Sequence, residues 1–349
     1  MAPSVLISAL VAIALIFDFL NGFHDSSNIV ATMISSRAMR PRSALLLSAV
    51  AEFCGPFLFG VAVATTVGHE VIVEQAVTIP VILAALVSAI TWNVITWLLG
   101  IPSSSSHALI GGMLGAAVMS FGLQAVLVRG LLKVIVALFF SPVLGLIAGY
   151  LMMNLVLFLA RGASPRINWL FKRAQTLTSL ALALSHGSND AQKTMGIITM
   201  GLVATGYLST FEVPWWVVLL CAGAMSLGTA LGGWRIIRTL GGKFYKIRPV
   251  HGFTTQITSA VVILGAALLG GPVSTTQVVS SAVMGVGAAE RLSKVRWHVA
   301  VDIVMAWILT IPVTALMAAL LHWAMSVSYT HLRAHETRHE LVCRLLLEK

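Results

Sequence analysis

Apolar runs long enough to cross a bilayer recur along almost the whole chain, and they constrain the fold more than any other feature. A membrane-spanning helix needs about 20 predominantly apolar residues. Only 10% of the residues are charged. In a soluble globular domain the share is roughly a quarter, so a soluble chain is excluded, and the length of the apolar runs excludes a disordered one. The sequence therefore predicts an all-α polytopic membrane protein.

The apolar runs predict about 10–12 membrane segments. Ten are assigned, at residues 4–36, 44–67, 77–99, 107–128, 134–160, 176–206, 213–233, 254–269, 272–288 and 298–325. Basic residues collect in four of the loops, within residues 37–42, 161–173, 235–248 and 291–296. Cytoplasmic loops are enriched in Lys and Arg, so these loops are expected inside and the N-terminus outside, in a multi-pass protein of the plasma membrane. The net charge of +10 reflects these loops, and no nucleic acid partner is expected.

The composition changes abruptly after about Ser328, to a polar stretch dense in charges and histidines. This tail, residues 328–349, is expected to form a short amphipathic helix or to be disordered. It resembles translated adapter read-through, so whether it is native is left open and no function is derived from it.

The chain contains an internal repeat. The motif GFHDSSN, which starts at Gly22, aligns with GSNDAQK, which starts at Gly187, and both the glycines and the aspartates coincide. A second pair follows at nearly the same separation, PSSSSH from Pro102 and PVSTTQ from Pro272. The predicted organisation is a first repeat over residues 1–160, a basic cytoplasmic linker over 161–175 and a second repeat over 176–327.

The two repeats are predicted to be inverted, because the first motif lies in a segment that runs inward and the second in one that runs outward. Inverted repeats with polar, proline-interrupted segments at matching positions are typical of secondary transporters, whose substrate site lies at the midplane between the repeats. The sequence thus predicts two inverted-topology repeats with broken or re-entrant helices. A channel built in the same way stays an alternative at this point.

Two intramembrane carboxylates, Asp25 and Asp190, occupy matching positions of the repeat. A charged side chain at membrane depth costs about 3 kcal/mol, so each is expected to be paired, protonated or bound to a cation. Glu52 is a third intramembrane acid, without a counterpart in the other repeat. These three residues, together with Asn28, Lys193 and His186, are the candidates for coupling to a cation or a proton, and a structural role is the alternative for Glu52.

Each hydroxyl-rich segment follows a proline and leads into an apolar run, so it is expected to begin a half-helix. Unsatisfied backbone N–H groups and the positive end of the helix dipole make such a helix start an anion site. The alternative is ordinary capping and close helix packing. The candidate anion ligands are Ser105, Ser106, Thr275 and Thr276.

Charge counting connects the carboxylates with the anion site. A monovalent oxyanion beside Asp25 and Asp190 would bring three negative charges together, and Lys193, if it faces the site, would leave two. Unpaired buried charge is very costly, so about two cations or protons must enter with the anion, which is a physical basis for symport. Protonated phosphate, unlike sulfate, can donate a hydrogen bond to an aspartate, so phosphate is favoured.

Lys193 stands where the first repeat has Asn28. A fixed positive charge can replace a transported cation at this position, which weakens a scheme with two sodium ions. His186 adjoins the second motif and is a candidate proton relay, as are His24 and His107. The alternative for each histidine is a hydrogen bond between helices.

Four motifs in order resemble the inorganic phosphate transporter (PiT) family, including its bacterial low-affinity phosphate permeases: NGFHDSSNIVAT, PSSSSHALIGG, SHGSNDAQKTMGII and GPVSTTQVVSSAVMGVG. The resemblance covers residues 4 to about 325. It implies an inverted-repeat carrier without a cofactor that couples phosphate uptake to H⁺ or Na⁺. By motif, Asp25, Asn28 and Asp190 correspond to the acidic and amide residues of the two signatures. The hydroxyl-bearing phosphate ligands correspond to Ser105, Ser106, Thr275 and Thr276.

The Gln-Lys form at Lys193 is similar to that of proton-coupled bacterial members, so the expected function is symport of inorganic phosphate with H⁺ rather than Na⁺. A complex of phosphate with a divalent metal is an alternative cargo, and sulfate or another oxyanion is an alternative substrate. An intramembrane hydrolase is disfavoured, since residues 4–325 contain neither a GxSxG nor an HExxH motif. A homodimer and a cytoplasmic regulatory partner are left open.

Overall fold

The computed structural model describes the backbone of residues 3–347 and the side chains of residues 5–68 and 70–327. Twelve α-helices make up most of this part of the chain. In chain order they are α1 (Pro3–Ser35), α2 (Pro41–Phe59), α3 (Ala62–His69), α4 (Ile79–Leu99), α5 (Ser105–Phe121), α6 (Val128–Leu159), α7 (Ile167–Ala204), α8 (Trp215–Leu231), α9 (Trp234–Gly242), α10 (Pro249–Leu268), α11 (Thr275–Glu290) and α12 (Trp297–Leu347). An isolated antiparallel bridge joins Ile72 and Val126.

Six of the described helices are long and apolar enough to cross a membrane on their own, namely α1, α2, α4, α6, α10 and α12. The α8 and α9 helices are bent by 68° relative to each other and can form a broken seventh span. The 38-residue α7 carries the polar GSNDAQK motif, and α5 and α11 have only 17 and 16 residues. Each predicted segment therefore coincides with one helix or, at 44–67, with two, but not every segment is an independent span. The chain is a multi-pass, all-α membrane protein, as predicted.

The helices differ from the predicted segments at several boundaries, and three of these differences are a break, a bend and an extension. The segment predicted at 44–67 is broken into α2 and α3, because Gly60 adopts a φ of +78° that favours glycine. The segment predicted at 213–233 ends at Gly232, which also has a positive φ, and the chain bends there into α9. The backbone of α12 stays helical to Leu347, so it extends through most of the predicted tail, whose side chains lie outside the described residues.

The helices pair in a pattern that repeats with the two halves exchanged. α1 packs on α8 as α7 packs on α2, and α5 packs on α12 as α11 packs on α6. Glycines allow two of these close approaches: a Cβ on Gly22 would lie 2.0 Å from the Met225 carbonyl oxygen, and one on Gly187 would lie 2.1 Å from that of Glu52. The fold thus consists of two inverted-topology repeats that complete each other. The domain boundaries stay a prediction, and α7 begins within the predicted linker, at Ile167.

The four basic loops lie together on one side of the bundle, which we call the basic face, and the Arg296 N–H of the fourth loop donates to the Phe244 carbonyl of the third at 3.2 Å. There the Ser36 hydroxyl donates to Gln175 Oε1 at 2.9 Å, and Gln175 Nε2 donates to the Pro249 carbonyl at 3.1 Å. The opposite side, which we call the Glu70 face, carries an ion pair in which Lys133 Nζ lies 3.0 Å from Glu70 Oε2. This ion pair neutralises the charge of Lys133, a basic residue that does not belong to the basic face.

Candidate functional site

The two aspartate motifs meet inside the bundle, where α1 and α7 pack together beside the start of α11. Asp25 and Asp190 are both buried. The Thr275 hydroxyl lies between them, 3.3 Å from Asp25 Oδ2 and 2.8 Å from Asp190 Oδ2. A hydroxyl donates one proton, so Thr275 can satisfy only one of the two carboxylates at a time. A further proton or a cation would therefore be stabilised between them.

Asn28 and Thr276 extend this cluster on the α1 side. Thr276 Oγ1 donates to Asp25 Oδ1 at 2.9 Å, and Asn28 Nδ2 donates to Thr276 Oγ1 at 3.0 Å. His24 Nδ1 lies 2.9 Å from Asp25 Oδ1. The Asn28 carbonyl oxygen is buried and has no hydrogen-bond partner among the described residues, so it is available to a ligand.

His186 connects three carboxylates. Its Nδ1 lies 2.5 Å from Glu52 Oε1, and its Nε2 lies 3.3 Å from Asp190 Oδ2 and 3.7 Å from Asp25 Oδ2. Glu52, which the sequence could not pair with any residue of the second repeat, therefore joins the cluster through this histidine. One ligand atom each from Asp25, His186 and Asp190 lies within 4.8 Å of the others, a set of oxygen and nitrogen donors that suits a divalent cation.

Lys193 faces the site. Its ammonium group forms an ion pair with Asp190 and donates to Ser106 Oγ at 2.6 Å and to the Val273 carbonyl at 2.9 Å. These three acceptors use all three donors of the ammonium group. Lys193 thus joins α7 to the first turn of α5 and to the segment before α11.

The hydroxyl-rich segments begin helices in both repeats. Ser104 caps α5 by accepting a hydrogen bond from the His107 N–H at 3.2 Å, and Ser274 caps α11 by accepting one from Gln277 at 3.4 Å. Backbone N–H groups in the first turn of a helix have no intrahelical acceptor, so both helix starts offer donors to an anion. Ser105, the first residue of α5, is buried in this turn.

Sequence reasoning missed some residues of the site. Ser104 and Ser274 were not singled out, although a serine before an apolar helix is a recognised capping signal that could have found them. The Val273 carbonyl carries no side-chain signal. Asp18 has no acidic counterpart in the other repeat, and in the structure its Oδ1 accepts a hydrogen bond at 2.8 Å from Thr194, the residue that follows Lys193.

His107 lies apart from the carboxylates. Its Nδ1 is 3.3 Å from the Trp307 carbonyl oxygen, which connects α5 to α12. This contact is the hydrogen bond between helices that was the alternative to a proton relay. Of the three histidines, only His24 and His186 contact the aspartates.

The charges in the cluster do not balance. Three carboxylates, from Asp25, Glu52 and Asp190, face the ammonium of Lys193 and the imidazole of His186. Protonation of His186 alone leaves an excess negative charge, and protonation of His24 as well, which contacts Asp25, would only bring the cluster to neutrality before any anion binds. Because uncompensated buried charge is costly, an anion in this site without accompanying protons or cations would be strongly disfavoured.

Comparison with known proteins identifies the family. Residues 21–318 match the phosphate transporter family. The chain belongs to this family. A relative from Rhizobium meliloti (strain 1021) is 46% identical over 321 residues, which cover 91% of this chain and 96% of the relative. One from Bacillus subtilis (strain 168) is 42% identical over 324 residues, which cover 92% of this chain and 97% of the relative.

Both relatives of this phosphate transporter family member are described as "Probable low-affinity inorganic phosphate transporter". A solved structure, "The sodium-dependent phosphate transporter", matches with a TM-score of 0.85 and 26% identity, covering 93% of this chain and 99% of that chain. The expectation of a transporter and not an enzyme is confirmed by the family. An HExxH string does occur in the polar tail, at residues 335–339, but it lies beyond the family match and outside the described side chains.

Proposed function

We propose that this member of the phosphate transporter family is a secondary active symporter that carries inorganic phosphate into the cell together with H⁺ rather than Na⁺. The names of its relatives support phosphate as the substrate. The basic face is proposed to be cytoplasmic, because loops rich in Lys and Arg are retained on that side. This orientation places the N-terminus outside and the carrier in the plasma membrane.

Phosphate is proposed to bind between the starts of α5 and α11. The hydroxyls of Ser105, Ser106, Thr275 and Thr276 and the first-turn N–H groups would donate to its oxygens. Asp25 and Asp190 would accept hydrogen bonds from the protonated oxygens of phosphate, which sulfate lacks. Asn28 would contribute its unpaired carbonyl oxygen in the same way.

The placement of Lys193 carries the proposal of proton coupling. Its ammonium group occupies the space between Asp190, Ser106 and the Val273 carbonyl, where a transported cation would otherwise be coordinated. The remaining negative charge lies at Asp25 and Glu52, and these carboxylates and the His186 between them can take up and release protons. We assign the coupled protons to Asp25, Glu52 and His186. Coupling to Na⁺, which the name of the solved relative mentions, is the alternative.

A metal-phosphate complex is a second candidate cargo, favoured by one observation. Asp25, His186 and Asp190 present ligand atoms within 4.8 Å of one another, beside the starts of α5 and α11. A divalent cation held there as cargo would neutralise the two aspartates and also contact the phosphate.

The test is uptake of radiolabelled phosphate into proteoliposomes that contain the purified protein. A pH gradient, acid outside, and an inward Na⁺ gradient are imposed in separate samples, each with and without excess sulfate. Proton coupling predicts accumulation with the pH gradient alone and little competition from sulfate. Accumulation with Na⁺ alone would contradict the role assigned to Lys193. Movement of sulfate in place of phosphate would contradict the substrate.

The metal-phosphate alternative is tested in the same vesicles. Phosphate and Mg²⁺ uptake are measured together, with and without a chelator outside. Parallel uptake of both, with both lost in the chelator, would support the complex as cargo. Phosphate uptake that is unchanged by the chelator would exclude it.

A further inference from the structure

Buried polar side chains continue from the site toward the basic face. They lie on four helices, α1, α7, α10 and α11, three of them are joined by hydrogen bonds, and we call the group the polar column. Its members are Thr32, Thr178, Ser179, Gln256, Ser259 and Ser280, all of which are buried. Thr32 lies one helical turn beyond Asn28, and Ser280 lies one turn beyond Thr276, so the column begins directly next to the site.

Gln256 bridges two other members of the column. Its Oε1 accepts a hydrogen bond from Thr178 at 2.6 Å, and its Nε2 donates to Thr32 Oγ1 at 3.2 Å. These two bonds join α10 to α7 in the second repeat and to α1 in the first. A single side chain therefore links both repeats across this half of the bundle.

Three hydroxyls of the column lack partners. Ser179, Ser259 and Ser280 are 1%, 0% and 0% exposed, and none of their hydroxyls has a hydrogen bond within the described part of the chain. Ser259 lies one turn from Gln256 along α10. Buried polar groups in native proteins are almost always satisfied, so these hydroxyls indicate partners that enter from outside the chain, namely water or a passing anion.

The matching positions on the other side of the site are apolar. The alignment of the two repeats, which pairs Gly22 with Gly187 and Pro102 with Pro272, also pairs each of the six column residues with a position in the other repeat. These six positions lie toward the Glu70 face. These are Ile197, Ile13, Ala14, Leu86, Ala89 and Ile110, and they lie in or against one continuous hydrophobic cluster. At these positions the equivalent helices of the other repeat thus pack together through apolar residues. Packing of these helices therefore does not require the polar residues of the column.

We infer that the polar column is the half of the phosphate path that leads to the basic face, and that Gln256 is its gate. That the ion in this path is phosphate rests on the proposed function. When the two Gln256 hydrogen bonds break, the freed groups and the unpaired serine hydroxyls supply donors and acceptors to the partly dehydrated anion. The apolar positions on the opposite side keep the site closed to the Glu70 face meanwhile.

Cysteine labelling tests the path without requiring transport. In a background with Cys54, Cys221 and Cys343 changed to serine, Ser259→Cys is compared with Ala89→Cys, its counterpart on the apolar side. A membrane-impermeant thiosulfonate is applied to either side of reconstituted vesicles. Ser293→Cys, in an exposed basic loop, reports which side is the basic face, and a single symmetric peak in size-exclusion chromatography reports that each variant is folded. We expect labelling of Ser259→Cys from that side, about tenfold faster than that of Ala89→Cys.

The gate is tested in the same vesicles. Gln256→Ala removes both hydrogen bonds and should accelerate labelling of Ser259→Cys about tenfold, without affecting Ser293→Cys. Absence of Ser259→Cys labelling in both backgrounds, with Ser293→Cys labelled, would overturn the path. Equal rates with and without Gln256→Ala would overturn the gate. Protection of Ser259→Cys by sulfate but not phosphate would support the path while contradicting the proposed substrate.

Discussion

The two repeats share a backbone plan but differ in the chemistry they bring to the site. Each has a glycine where a helix from the other half approaches, an aspartate three residues further on, and a serine that caps a half-helix. They differ three residues after the aspartate, where the first repeat has Asn28 and the second has Lys193. Asn28 donates to Thr276, whereas Lys193 forms an ion pair with Asp190 and contacts Ser106.

This difference shows which parts of the repeat are set by packing and which by charge. Close helix contacts and helix starts impose the same requirement on both repeats, so glycines and serines match. The electrostatic requirement belongs to the site as a whole, since one anion binds between the repeats. One fixed positive charge is therefore enough, and its position makes the two aspartates unequal.

Removing either aspartate should have the largest effect. Asp25→Asn and Asp190→Asn each break a buried network of charges and should lower phosphate uptake by about 100-fold or more, with normal amounts of protein in the membrane. Proteoliposome uptake measures this loss. Asp302→Asn, at an exposed position of α12, is the matched control and should retain uptake. Near-normal uptake in both site variants would remove the carboxylates from the mechanism.

Exchanging the residue that distinguishes the repeats should change the coupling ion. Lys193→Asn makes the second motif resemble the first, and the lost ammonium group leaves room for a cation beside Asp190. Uptake driven by a pH gradient should fall about tenfold, and an inward Na⁺ gradient should stimulate it. Lys172→Asn removes an exposed charge from the same helix and should change neither response. An unaltered dependence on pH and Na⁺ in Lys193→Asn would refute its role.

Packing substitutions should affect the two repeats alike. A Cβ on Gly22 or Gly187 would lie 2.0 or 2.1 Å from a backbone oxygen of the other half, so α1 and α8, or α7 and α2, must separate. Each Gly→Ala change should destabilise the fold by about 1–3 kcal/mol, a fall of about 2–6 °C in melting temperature in detergent. Gly223→Ala is the control, because nothing lies within 4 Å of its Cβ position. A large difference between the two repeats would contradict their equivalence in packing.

The smallest effect is expected at the helix caps. Ser104→Ala and Ser274→Ala each remove one side-chain hydrogen bond from a first turn and should cost about 1 kcal/mol, again to a similar extent in both repeats. Thermal unfolding in detergent measures this, with the exposed Ser209→Ala as a control. Unchanged melting temperatures in both cap variants would mean that the first turns are held by other contacts.

Local patterns in the sequence were sufficient for much of the fold and for part of the site. Hydropathy placed the membrane segments on helices, and alignment of the two motifs singled out Asp25 and Asp190, which the structure brings together on Thr275. The interruptions were less predictable. Gly60 and Gly232 lie in apolar surroundings where a glycine is as compatible with a continuous membrane helix as with a break.

The sequence by itself determined the all-helical membrane class, the internal repeat and the family, because each depends on composition or on motifs read along the chain. Only the tertiary structure decided which distant side chains share one charge cluster. Glu52 meets His186, Lys193 reaches Ser106, and Gln256 bridges Thr32 and Thr178 across helices far apart in the chain. Such contacts depend on how helices cross, and hydropathy records which residues are buried but not which buried residues meet.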